Sequence, residues 1–379
     1  MVDEGRFPNS AKPGGVTVVL GQAIELPPYR QAIDEGHRPR HVLLDLAERT
    51  GGAAISSSGI RPNLADRLIS IVVGGPHQVA VARRALRASA GGFIHANGEQ
   101  IGFSLLLLQG LSRRRSARIG FWVMSPNGPR VRFWLQTIRR LRLQPLMLAE
   151  SEVKAAAIRR LAGPDARVAV LGTPVDSEFF SPGPTLHPKG PPLIASAGLE
   201  RRDYRTLAAA IEGLDAEVQI CAVSPDARTA SASMPEPVPA NMTFVDLSIE
   251  ELRDLYRRAD LVVIPTLAND IDAGGSTAVE AMACGCPVVT SGQGMFLAWA
   301  EQGLIRVADT GSADDLRRVL NELLADPGAA AELRRRARQQ TVTSQTDRQW
   351  MSNLIEQIHQ GGVAVADEGH RAGPQELAS

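Results

Sequence analysis

The residues most able to do chemistry together lie between positions 270 and 291. A glycine pair, Gly274 and Gly275, leads into Ser276 and Thr277, both residue types that cap helix N-termini. Thr277 and Glu280 stand at capping-box spacing. Residues 278–283 form an apolar run suited to a buried helix, and Gly285 followed by Pro287 stops it. A glycine turn feeding a helix start presents free N–H groups and a positive dipole end to an anion. Asp272 and Glu280 flank that turn. Carboxylates repel phosphate but accept hydrogen bonds from sugar hydroxyls, so the combination predicts a phosphorylated sugar such as a nucleotide sugar. The competing reading makes Glu280 a helix cap and Asp272 a solvated loop acid.

Such a loop needs a strand before it and a strand after it, and the chain supplies both. The 379 residues allow two or three domains, with 44% hydrophobic residues to build their cores. Strands are expected at residues 16–20, 53–56, 92–95, 118–124, 146–149 and 168–171, with helices between them, among them 77–88, a leucine-rich helix ending at 111, 132–143 and 153–161. A stretch dense in Pro and Gly, residues 183–192, reads as a linker. A second alternation follows, with strands at 193–197, 218–223, 242–245, 261–264, 287–290 and 304–307, the longest helix being 314–324. Each alternation predicts a parallel α/β sheet. Residues 1–15 and 362–379 read as disordered termini.

The motif resembles the acidic motif of retaining glycosyltransferases of the GT-B fold, family 4 type (glycosyl transferases group 1). There two glutamates flank seven residues; Asp272 and Glu280 keep the spacing, with Asp in first place. The following Ala-Met-Ala-Cys-Gly-Cys-Pro-Val-Val also resembles that family. So does the opening of the second alternation, where Gly198 ends a strand and Arg202 falls at the position of the family's diphosphate-binding lysine; Arg201 is its neighbour, and Leu199 replaces the family's first arginine. Residues 168–180, with Asp176 and Phe180, are similar to the segment that closes the family's first domain. The resemblance implies two Rossmann-like domains facing across a cleft. Residues 16–182 would be the acceptor domain, residues 193–345 the nucleotide-sugar donor domain, and residues 346–361 a helix packing back on the first domain. It implies a hexosyltransferase that needs no bound metal or other cofactor, with a nucleotide-diphosphate sugar as co-substrate and a hydroxyl acceptor. Arg202, Asp272 and Glu280 would be the catalytic group. Gly198, Arg201, Gly274, Gly275, Ser276 and Thr277 would bind the donor. A fixed cation there offsets charge on the leaving diphosphate, and Arg grips phosphate in a bidentate way.

On the acceptor side, Asn97 and Glu99 follow a first-domain strand, where ligands of open α/β sheets bind; the other reading has this group, His95 included, simply packed. Asn127, with Ser125 and Pro126, stands where the family often has a histidine. Gly21 is the nearest match to the family's first-domain glycine loop and receives no role. These departures keep two alternatives open, a non-catalytic nucleotide-sugar-binding protein and a sugar-nucleotide epimerase.

Seven scattered histidines and three cysteines, Cys221, Cys284 and Cys286, give no metal spacing and no disulfide framework, which fits the cytoplasm. No signal peptide, no membrane span and no nucleic-acid partner are expected. The charge is uneven: residues 1–182 hold 24 Lys/Arg against 14 Asp/Glu, residues 183–379 hold 17 against 27. Trp134, Ile138 and Leu141 share one helical face among Arg132, Arg139, Arg140 and Arg142, with Arg113, Arg114 and Arg115 close by. That face could touch an anionic membrane or acceptor, or it packs into the core.

Overall fold

The structure, a computed structural model, describes residues 11–12, 14–89, 91–112, 117–183, 190–222, 234–269 and 271–362. The expectations for residues 1–10, 184–189 of the linker, Arg113 to Arg115, the strand end at 223 and the tail from 363 lie outside the described residues.

The first half runs β1 (Val16–Val19), α1 (Leu26–Asp34), α2 (Val42–Arg49), β2 (Ala54–Ile55), α3 (Leu64–Val73), α4 (Pro76–Ala88), β3 (Phe93–Ala96), α5 (Glu99–Leu111), β4 (Arg118–Trp122), α6 (Pro129–Arg140), β5 (Leu146–Ala149), α7 (Glu152–Ala162) and β6 (Val168–Val170). The second runs β7 (Leu193–Ala197), α8 (Tyr204–Ile211), β8 (Glu217–Cys221), β9 (Met242–Phe244), α9 (Ile249–Arg258), β10 (Leu261–Ile264), α10 (Gly275–Ala283), β11 (Val288–Ser291), α11 (Met295–Glu301), β12 (Arg306–Ala308), α12 (Ala313–Ala325), α13 (Pro327–Ser344) and α14 (Asp347–Gln360).

Two parallel six-stranded sheets result, in the orders β2-β1-β3-β4-β5-β6 and β12-β11-β10-β7-β8-β9. Helices cover both faces, so strands such as β1, β3, β5, β7 and β10 are buried throughout and read as continuous apolar runs. The strand order reverses between β1 and β3 in the first sheet and between β7 and β10 in the second. Loops leaving the carboxyl ends diverge there and open a crevice. The loops after β1, β3, β7 and β10 therefore have to build the site.

Helix α14 crosses back to the first sheet. Its Trp350, Met351, Leu354, Ile355 and Ile358 share one core with Val16, Leu20, Leu43 and Leu148. Arg40 ties the crossing together: it reaches Asp176 at 2.9 Å, Glu178 at 2.7 Å and Asp347 at 3.0 Å.

Two expectations are corrected. The longest helix is α13, at 18 residues, not the stretch 314–324. Its arginine-rich sequence buries only Leu333, Ala337 and Thr341, a stripe too thin to show as periodicity. On α6, Trp134 and Ile138 are core residues, and Trp134 stacks on Phe103 at 5.4 Å while its indole N–H bonds the Val72 carbonyl. Leu141 is exposed, so the three residues do not form one membrane-facing surface.

Candidate active site

The second-domain wall grows from the loop after β7. Gly198 turns there at φ +85°, and a Cβ at that point would come within 2.6 Å of Arg202 Nη2. Arg202 is therefore folded beneath the turn, 3% exposed. Its Nε donates to the Ala197 carbonyl at 2.9 Å, Nη1 to the Glu200 carbonyl at 2.9 Å and Nη2 to Thr277 Oγ1 at 3.2 Å. The guanidinium also interacts with the Tyr204 hydroxyl, and Arg202 lines the cleft from beneath the turn. Its backbone also bridges Thr266, which pins the loop after β7 to the loop after β10.

Helix α10 begins at Gly275, with Gly274 as its N-cap at φ +103°. A Cβ on Gly274 would strike Ile264 Cγ2 at 2.6 Å, so the position needs glycine for space as well as for backbone sign. No side chain caps this helix, which leaves N–H groups of its first turn to an anion. The expected capping box is therefore absent. Thr277 lies inside the helix and gives its oxygen to Arg202. Glu280, one turn on, has Oε2 3.4 Å from the Tyr256 hydroxyl. Burial pushes the Glu280 carboxyl up to about 7, against the lowering effect of Tyr256 and Arg202.

Asp272 sits just before this turn with its own backbone at φ +51°. It is not a solvated loop acid. Oδ1 accepts the Met295 N–H at 3.0 Å, the start of α11, while Oδ2 accepts the Ser151 hydroxyl at 3.1 Å and stands 3.4 Å from Lys154 Nζ. Ser151 and Lys154 belong to the first domain, so Asp272 closes the cleft from one domain to the other. Lys154, 3% exposed, also reaches Glu150 at 2.5 Å and the Ile271 carbonyl at 3.4 Å.

Between the walls lies a cleft of about 760 Å³, lined by Arg202, Asp272, Gly274, Thr277 and Glu280 from one side and by Asn97, Glu150 and Trp122 from the other. Gly198, Gly275 and Ser276 line it too. Asn97 Oδ1 accepts the Gly21 N–H at 3.0 Å, which joins the loops after β1 and β3 where the first sheet reverses. Glu99 is turned away: its Oε2 accepts the Met124 N–H at 3.0 Å and fixes the backbone after β4. Asn127 is exposed on the next loop and is not part of the lining. Arg201, at φ +54° and 3.9 Å from Glu200, is half-exposed and likewise outside the lining. His95 is fully buried against Trp350, both ring nitrogens unbonded, and burial holds it at about 3.

Sequence reasoning missed Glu150, Lys154, His41 and Gln22, and the aromatic pair Trp122 and Trp350, whose rings stack at 5.8 Å. Glu150 and Lys154 at i, i+4 spacing offered the one local signal; α14 brings Trp350 to the cleft from about 230 residues downstream of Trp122. Among the described residues, no group of three or more His, Cys, Asp or Glu is placed to hold a metal ion. No helix among them is long and apolar enough to cross a membrane.

The model of the family described as "Glycosyl transferases group 1" matches residues 238–340, which include α10 with Glu280. A D-inositol 3-phosphate glycosyltransferase of Rhodococcus jostii (strain RHA1) is 33% identical over 100 residues, 25% of this chain and 21% of that protein. One from Gordonia bronchialis is 26% identical over 231 residues, 51% of this chain and 47% of that protein. The matches thus span about half or less of the length of these curated relatives. Among solved structures, sucrose-phosphate synthase from Thermosynechococcus elongatus has a TM-score of 0.66 at 16% identity, covering 92% of this chain and 99% of that one. α,α-Trehalose 6-phosphate synthase from Burkholderia multivorans has a TM-score of 0.70 at 11% identity, covering 93% and 99%. Anabaena HepE, crystallised with UDP and glucose, has a TM-score of 0.66 at 15% identity, covering 90% and 99%. Identities this low speak to the fold, and the fold is GT-B, as the sequence resemblance implied.

Proposed function

We propose that this GT-B chain, whose second domain carries the group 1 glycosyltransferase segment, is a retaining glycosyltransferase. It moves a hexosyl group from a nucleotide-diphosphate sugar to a hydroxyl acceptor. One observation carries the reading: Arg202, the uncapped start of α10 and Glu280 all line one wall of the interdomain cleft. The helix start and the Arg202 guanidinium hold the diphosphate and offset the charge it gains as the sugar departs. Glu280 accepts hydrogen bonds from the ribose hydroxyls. A carboxylate has about four acceptor sites; three on Asp272 are engaged, and the fourth meets a sugar hydroxyl. The departing diphosphate takes the proton of the acceptor hydroxyl on the same face, which retains the anomeric configuration. These side chains neutralise the phosphates without recourse to a metal or other cofactor in the proposal. We place it in the cytoplasm, where Cys221, Cys284 and Cys286, all buried, would stay reduced. Contact with anionic lipid would fall to the exposed Phe133 and Leu141.

The test is release of nucleoside diphosphate from a panel of nucleotide sugars, with and without hydroxyl acceptors, and the anomeric configuration of the product. A second reading, a non-catalytic nucleotide-sugar-binding protein, is favoured by Leu199, which packs into the core where the family has an arginine. Nucleotide binding with no release would decide for it. An epimerase would need cleft histidines as bases; His41 alone lines the cleft among the described residues.

A further inference from the structure

The first-domain wall of the cleft is where an acceptor must lie, and its chemistry is specific. Gln22, His41 and Asn97 supply polar groups; Trp122, Met124 and Trp350 supply apolar surface. Trp122 and Trp350 stack on one another with an interplanar angle of 19°, and both line the cleft while 9% and 3% exposed, so the wall offers a sugar ring a small apolar patch beside its polar groups. Among the described residues lining the cleft, Arg202 is the one Lys or Arg, and it belongs to the opposite wall, beneath the donor turn.

Lys154 lies close behind the first-domain wall, yet it is not available to an anion. An ammonium has three N–H donors, and the structure gives it three acceptors: Glu150 Oε2, Asp272 Oδ2 and the Ile271 carbonyl. Its side chain is 2% exposed. Glu150 and Asp272 both line the cleft, so the cluster shows two carboxylates for one ammonium to whatever enters. Burial lowers the His41 imidazole and keeps it neutral. The arginine surplus of the first half sits elsewhere: Arg132, Arg139, Arg140 and Arg142 are exposed on and after α6 and are not part of the cleft lining.

We propose that the acceptor is an uncharged polyhydroxy compound, a sugar or polyol without a phosphate, held against Trp122 by Asn97, His41 and Gln22. Glu150, with its Lys154 engaged, excludes phosphorylated acceptors. A phosphate entering this wall would lose its hydration, meet no Lys or Arg among the described residues that line it, and face the Glu150 carboxylate. This inference rests on the glycosyltransferase reading and narrows its acceptor to a class that differs in charge from the inositol 3-phosphate named for the curated relatives.

The experiment uses the full chain saturated with the nucleoside diphosphate that most raises its melting temperature. Saturation-transfer NMR and calorimetry then compare matched pairs, glucose with glucose 6-phosphate and inositol with inositol 3-phosphate, with inorganic phosphate as an anion control. The neutral member of a pair is expected to bind at least about tenfold more tightly than its phosphorylated partner, because like charges in a desolvated site repel. Glu150→Gln, and separately Gln22→Arg on an exposed loop position, should each raise affinity for the phosphorylated member by about tenfold. The Gln22 variant leaves the buried cluster intact and keeps the test open if Glu150→Gln fails to fold. A wild-type preference for the phosphorylated member, no saturable binding of any neutral member, or no gain in either folded variant would overturn the proposal. Failure of every nucleoside diphosphate to shift the melting temperature would instead remove the donor-site reading beneath it.

Discussion

Arg202 Nη2 donates to Thr277 Oγ1 across 3.2 Å, and this bond joins the loop after β7 to the first turn of α10. Both residues line the cleft. The cation and the helix start that would meet a diphosphate are thus held in a fixed relation before any ligand arrives, which is how a charged site avoids reorganisation as charge develops.

Replacing Thr277 by Val should leave one buried Arg202 N–H without its acceptor, a loss of roughly 1–3 kcal/mol. Thr277→Ser keeps the oxygen and should restore most of that stability. Denaturant melts of the two variants read the difference, and equal melts would show the bond contributes nothing. Arg202→Lys keeps the charge but loses the planar fork, so nucleotide affinity should fall by about tenfold or more.

The Glu280 carboxyl is held near 7 by burial, so under the proposed function nucleotide-sugar binding should depend on pH. Only the ionised form accepts two ribose hydroxyls, so affinity should rise between pH 6 and 8. A nucleotide sugar is the right probe because its diphosphate diester does not titrate in that range. Stability runs the other way: a carboxyl raised from 4.5 to about 7 contributes fully below 4.5 and loses that contribution as pH rises through about 7. Glu280→Gln should flatten both profiles and weaken donor binding by about tenfold or more, since a hydrogen bond to a charged group contributes ~1.5–3 kcal/mol. An unchanged affinity profile in the variant would mean another group titrates.

Gly274→Ala places a Cβ 2.6 Å from Ile264 Cγ2 at φ +103°. Strain of this kind costs about 1–3 kcal/mol, and the turn before α10 should shift. We expect a lower melting temperature together with loss of the nucleotide-induced shift. A variant that melts lower yet binds nucleotide normally would show that the turn's backbone is not the phosphate cradle.

Arg40 is the cation shared by Asp176, Glu178 and Asp347 where the chain returns to the first domain. Arg40→Met removes it from two carboxylates that are each 5% exposed, so roughly 3 kcal/mol of stability should be lost. Because α14 is anchored there, its packing on the first sheet should loosen, and hydrogen exchange across residues 347–360 should speed up more than across β10. Uniform acceleration would argue against a local hinge.

Strand positions were legible because each parallel strand is buried on both faces, and its apolar run, as in β5, β7 and β10, appears directly in the sequence. Breakers fix their edges: Gly198 follows β7, and Gly285 with Pro287 precedes β11. Helix α13 was missed because its buried face is thin. The capping box was misread for a related reason. Thr277 and Glu280 have the right spacing, but Gly274 at positive φ starts the helix three residues earlier, and a side-chain pattern does not reveal a backbone sign.

The sequence by itself determined the alternation of strands and helices, the glycine turn before α10 and the chemical types at Arg202, Asp272 and Glu280, because these depend on local spacing and intrinsic preference. Only the tertiary structure decided their partners. It turned Arg201 out of the cleft and folded Arg202 in, and it turned Glu99 onto the backbone after β4. It also set Asp272 against Ser151 and Lys154 of the other domain. The last depends on how the domains meet and joins residues more than 100 positions apart, and even the Glu99 bond spans 25 positions and a whole helix. A carboxylate's role follows from its nearest cation and its burial, and neither is written in the residues beside it.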